Sequence, residues 1–132
     1  MTIQRFEDLE VWKDARELCK KIRLLSDSTS LHKDYSLKDQ ILRSSGSCMD
    51  NISEGFERDG NKEFINFLYM AKGSLGETRS QVYRAFDSGY FNQAQYDDLI
   101  NNCLHLSARI SNLITYLRKS GIEGRKKKQC LV

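Results

Sequence analysis

The chain has 132 residues, 30% of them charged, with four cysteines and no proline. That length supports one packed core and not two, and the lack of any apolar run near about 18 residues excludes a membrane-spanning helix. The net charge of +3 is uneven: residues 118–132 hold six basic side chains against Glu123 alone, a net +5, so the first 117 residues sum to −2.

The opening MTIQRFEDLEVW has no signal-peptide core, so a cytoplasmic location is expected. Val11, Ala15, Leu18, Ile22 and Leu25 step by 4, 3, 4 and 3 and predict a first helix over about Asp8 to Asp27. Ser28 to Asp34 reads as a loop, and Ser36 with Asp39 as the cap of a second helix over about Leu37 to Phe56. Asp59-Gly60 is a turn signal, and Asn61 is the expected cap of a third helix over about Lys62 to Asp87. Ser88-Gly89 ends that helix, and Asn92 with Gln95 forms a capping box for a fourth over about Gln93 to Lys119. Its seam is Tyr96, Leu99, Cys103, Leu106, Ile110, Leu113 and Leu117. Four long helices with short connections predict an all-α, up-down-up-down four-helix bundle. The expected division is a bundle over 1–120 and a basic, flexible tail over 121–132, too poor in apolar residues to fold alone.

Small residues crowd the second and third helices at Ser44, Ser45, Gly46, Ser47 and Cys48, and at Ala71, Gly73, Ser74 and Gly76. Glycine within a helix costs roughly 1 kcal/mol relative to alanine, so Gly46, Gly55, Gly73 and Gly76 point to close approach of two backbones. A polar ladder of Arg43, Ser47, Asn51, Glu54 and Arg58 runs among them at spacings of three and four. Ser74 and Glu77 belong to the same set, with Glu77 facing the second helix where Arg43 or Asn51 satisfies it. Such a ladder fixes register in a core of interchangeable hydrophobes. On the third helix, beside the core stripe of Phe64, Phe67/Leu68, Ala71, Leu75, Thr78, Val82 and Ala85, runs a second one. It holds Ile65, Tyr69, Lys72, Gly76, Arg79 and Tyr83, a mixture suited to a subunit interface.

Catalytic chemistry finds little support. A di-metal bundle needs Glu-x-x-His pairs; His32 lies in a loop and His105 follows Asn102 by three. Ser47 and Cys48 have no histidine base. GFERDGNK resembles a phosphate-binding loop but has Asn61 where lysine is needed. Cys19, Cys48, Cys103 and Cys130 include no C-x-x-C pair, and the first three occupy apolar helical positions, as buried free thiols do. Neither an enzyme nor a cofactor or metal site is expected.

Phe6-Glu7-Asp8-Leu9-Glu10-Val11-Trp12 matches a pattern F-x-D-L-x-V-W, and Asn51-Ile52-Ser53-Glu54-Gly55 with Arg58 matches N-I-A-E-G-x-x-R, with serine for alanine at 53. Phe64, Phe67, Leu68, Ala71, Gly73, Ser74 and Glu77 fit F-x-x-F-L-x-x-A-x-G-S-x-x-E. Over residues 6–119 the chain thus resembles the small bacterial four helix bundle protein family, found among proteins encoded in intervening sequences of large-subunit ribosomal RNA genes. That family is related in fold to the accessory variability determinant proteins of diversity-generating retroelements. The resemblance implies a five-membered ring and no enzymatic activity; the retroelement relatives bind nucleic acid and a reverse transcriptase.

Two functions are therefore expected. The first is a homo-oligomeric, pentameric bundle that binds RNA or DNA with little sequence preference and does not engage membrane. Its phosphate contacts would come from Arg118, Lys119, Arg125, Lys126, Lys127 and Lys128, with Lys72, Arg79 and Arg84 on the third helix, and its subunit contacts from Ile65, Tyr69, Gly76 and Tyr83. The alternative is an interaction scaffold or accessory subunit of a reverse transcriptase.

Overall fold

Apolar residues repeating at three and four turn one face of each helix inward, and burying those faces together is the main favourable term. A computed structural model describes residues 3–120; Arg125, Lys126, Lys127 and Lys128 lie outside the described residues. The helices are α1 (Glu10–Ser28), α2 (Tyr35–Glu57), α3 (Asn61–Asp87) and α4 (Gln93–Lys119), with 3-10 turns at Phe6–Asp8 and Ser30–Lys33 and no strand among the described residues. No helix there is long and apolar enough to cross a membrane.

The fold is the expected four-helix bundle. Successive helices run antiparallel: Ser44 meets Thr78 and Ser47 meets Ser74 between α2 and α3, while Asp14 meets Arg109 and Lys21 meets Asp98 between α1 and α4. One core spans all four helices, with Leu18, Ile22, Ile41, Ile52, Phe64, Leu68, Leu75, Leu99, Leu106 and Ile110 shut off from solvent.

Two seams shift near their ends. Ser26 is buried where Leu25 was expected, Leu25 being only half-buried, and Ile114 is buried where Leu113 was expected. A straight α-helix has 3.6 residues per turn, so a strict 4-3 pattern drifts off the buried face within a few turns.

Caps differ as well. Asp34, not Ser36, caps α2, its Oδ1 accepting from the Leu37 amide at 3.1 Å. Ser36 sits inside the first turn and accepts from Gln40 Nε2. Asp34 Oδ2 also accepts from the Tyr90 hydroxyl at 2.8 Å. The Leu37 amide and then that hydroxyl hold the Asp34 carboxyl below its ordinary pKa. Asn61 does not cap α3. Gly60, at φ 86°, takes the cap position, a backbone angle that suits glycine. Asn61 begins the helix, is buried, and donates Nδ2 to the Leu117 carbonyl at 3.4 Å, tying α3 to the end of α4. The Asn92–Gln95 capping box of α4 is present as expected.

The helical glycines need different explanations. A Cβ on Gly55 would lie 2.5 Å from Phe67 Cβ, so the α2 and α3 chains do meet closely there. Gly46, Gly73 and Gly76 would meet nothing within 4 Å, so close approach within the chain does not account for them.

Candidate functional site

The polar residues of α2 and α3 fall into three sets. Ser47 Oγ and Ser74 Oγ lie 3.0 Å apart, and Asn51 Nδ2 donates to the Ser47 carbonyl at 2.8 Å and to Ser47 Oγ at 3.1 Å. Glu54 pairs with Arg58 at 2.9 Å along the exposed edge of α2. Arg43 turns back to Asp39 on its own helix at 2.9 Å. Neither Arg43 nor Asn51 reaches Glu77, which is exposed and has no ion pair among the described residues. The expected Glu77 contact is not made, because each candidate partner has a nearer one on α2.

The innermost polar contact involves residues outside the expected ladder. Ser44 Oγ lies 2.6 Å from Gln81 Oε1 and 2.7 Å from Thr78 Oγ1, all three residues being buried. The amide oxygen only accepts, so Ser44 donates to it, and Thr78 shares its proton between Ser44 Oγ and the Ser74 carbonyl at 3.0 Å. Ser44, Thr78 and Gln81 recur across α2 and α3 at core positions. That coincidence was the available signal, but it requires knowing which faces of the two helices oppose each other. Above this contact opens a groove of about 220 Å³ lined by Gln40, Arg43, Ser44, Ser47, Glu77 and Gln81.

A second region lies along α3 and α4. The Arg118 guanidinium sits over the Tyr69 ring at 5.2 Å, and the Tyr83 and Tyr96 rings meet edge-on at 5.5 Å. Tyr96 also stacks on Phe86 at 4.1 Å. Burial and then the Tyr83 hydroxyl push the Tyr96 phenol above its ordinary pKa. Arg79 is near enough to α4 for its charge to act on Cys103, and Lys72 stands between Tyr69 and Gly76 at helical spacing. Tyr69 and Tyr83 stay exposed at 44% and 45%, whereas Ile65 packs partly on the core. Arg84 is elsewhere, donating Nη1 to Gln40 Oε1 at 2.9 Å across the α2–α3 seam. Lys119 is exposed in the last turn of α4, beside Arg118.

The described thiols are buried or half-buried and free. Burial pushes Cys48 up to about 12 and Cys103 up to about 11, so neither supplies a thiolate nucleophile near neutral pH. Cys19 donates to the Ser45 carbonyl at 3.2 Å and is raised too, chiefly by burial. No group of three or more His, Cys, Asp or Glu among the described residues is placed to hold a metal ion.

A family model described as 23S rRNA-intervening sequence protein matches residues 7–112. Among solved structures, the chain is similar to a protein with unknown function from the S23 ribosomal protein family of Bacteroides thetaiotaomicron. The identity is 24%, the match covers 79% of this chain and 97% of that one, and the TM-score is 0.71. At that identity the likeness is one of fold. No curated protein matches the chain.

Proposed function

The chain belongs to the 23S rRNA-intervening sequence protein family, and from that premise we propose a non-enzymatic, self-associating bundle that binds RNA or DNA electrostatically, with little sequence preference. The observation that carries this reading is the Arg118 guanidinium over the exposed Tyr69 ring. It holds a phosphate-seeking charge at the end of α4, where the basic run of the sequence begins. Lys119 follows directly, and Arg125, Lys126, Lys127 and Lys128 extend the basic run in sequence. In a ring, several such segments form one multivalent surface. Self-association through Tyr69, Gly76 and Tyr83, with Ile65 at its edge, would cover the open side of α3 and give the uncrowded Gly76 a neighbour.

The test pairs binding with light scattering. RNA and single-stranded DNA of unrelated sequence should bind alike, weakening by at least about tenfold between 50 and 200 mM salt. Truncation after Ser120 should reduce both affinity and salt slope. If the truncated chain binds as tightly with the same slope, the tail is not the surface, and Lys72, Arg79 and Arg84 become the residues to replace. The unmodified protein should scatter as an oligomer, a pentamer, and Tyr69→Glu with Tyr83→Glu should yield smaller species. A monomer at micromolar concentration would defeat the self-association half of the proposal.

A further inference from the structure

The α2–α3 groove lies apart from Tyr69 and Arg118 and has no part in the function proposed above. We propose that it binds a small zwitterion of the free amino acid class.

Its size sets the scale. About 220 Å³ is room for on the order of seven waters at their share of liquid volume, or one small organic molecule. Its floor is polar and buried: Ser44 is 5% exposed and Gln81 4%. The Gln81 oxygen is engaged by Ser44, while its amide nitrogen has no partner among the described residues. That nitrogen is not sealed from solvent, and Gln81 lines the groove. Two N–H donors are thus carried by a nearly buried side chain, with no acceptor among the described residues.

The rim carries one charge of each sign, and the two do not neutralise each other. Arg43 on α2 meets Asp39 through Nε at 2.9 Å, and its guanidinium is otherwise exposed to solvent. Glu77 on α3 has no ion pair among the described residues. A carboxylate accepts from Gln81 Nε2 and the Arg43 terminus, and an ammonium on the adjacent carbon donates to Glu77. A simple anion would satisfy the first two groups but lie against Glu77. A simple cation would leave the Gln81 donors unmet. A nucleobase needs a ring to stack on, and no aromatic side chain lines the groove.

Isothermal titration of the full-length protein with each of the twenty free amino acids tests this directly. At least one should give saturable heat with Kd of about 1 mM or tighter. Its amine and its carboxylate, offered separately, should each bind at least about tenfold more weakly, because each leaves a charged group unpaired. Glu77→Gln, at an exposed position that should fold normally, should weaken binding by a similar factor, as should Gln81→Leu, with folding of both checked by circular dichroism. Asp50→Asn, on the outer face of α2, should change nothing. The proposal fails if none of the twenty gives saturable heat up to about 10 mM, if the carboxylate alone binds as well as the amino acid, or if Glu77→Gln leaves Kd unaltered. Should Gln81→Leu fail to fold, the Glu77→Gln result and the carboxylate comparison decide the matter.

Discussion

Because Ser44 Oγ and Gln81 Oε1 lie 2.6 Å apart at the nearly buried floor of the groove, each depends on the other. Ser44→Ala leaves a buried acceptor unmet and should destabilise the fold by about 1–3 kcal/mol. Ser47→Ala removes a contact at a half-buried site, where water can replace the hydroxyl, and should cost less. Urea denaturation of the two variants checks the order; equal losses would mean that water in the groove replaces the Ser44 hydroxyl as readily as it replaces that of Ser47. The buried thiols make a second demand at this scale. Their pKa values rise from 9.0 to about 12 for Cys48 and to about 11 for Cys103. The unfolded chain therefore loses these protons first as pH rises, and stability should fall from about pH 9 upward. Below that pH both states hold the protons and the effect vanishes. Cys48→Ala should make the fall between pH 9 and 11 shallower, as followed by thermal melts; an unchanged slope would show that Cys48 is not protected.

At the scale of helices, one residue type has opposite effects at two positions. Gly55→Ala forces a Cβ to within 2.5 Å of Phe67 Cβ and should cost about 1–3 kcal/mol through overpacking. Gly73→Ala meets open space and should stabilise by up to about 1 kcal/mol from helix propensity alone. Melting temperatures moving in the same direction would contradict this. The contrast also shows what could be read in advance. The period of Val11, Ala15, Leu18 and Ile22 declares a helix and its buried face, because that information is local. Whether a glycine is crowded depends on which neighbour it faces, which no single helix specifies. The same reason hid the roles of Asn61 and Gln81: the turn residue looked like a cap and in fact binds the Leu117 carbonyl across the bundle. The Asn92–Gln95 capping box was legible because both partners lie within one turn.

For the whole molecule, the bundle was legible because core periodicity and short connections leave few alternatives, whereas the groove was not. Arg43, Ser47 and Glu77 were visible as a polar set, but their mutual geometry depends on how α2 and α3 turn toward each other. The seam between α1 and α4 has a different consequence. It joins residues 95 and 77 positions apart, through Asp14–Arg109 at 2.8 Å, part-buried, and Lys21–Asp98 at 3.0 Å, exposed. Long loop closure is entropically costly and such pairs are individually weak, whereas α1 with α2, α2 with α3, and α3 with α4 meet as sequential hairpins. Contacts between near neighbours form early, so α1 should dock against α4 late in folding. Asp14→Asn should then accelerate unfolding by up to about fivefold while leaving the refolding rate unchanged. Stopped-flow kinetics separates the two rates, and a slowed refolding would place the seam in the transition state. On that ordering, the time course of the chain follows its connectivity: the sequential helix pairs set first, and the α1–α4 seam closes the bundle last.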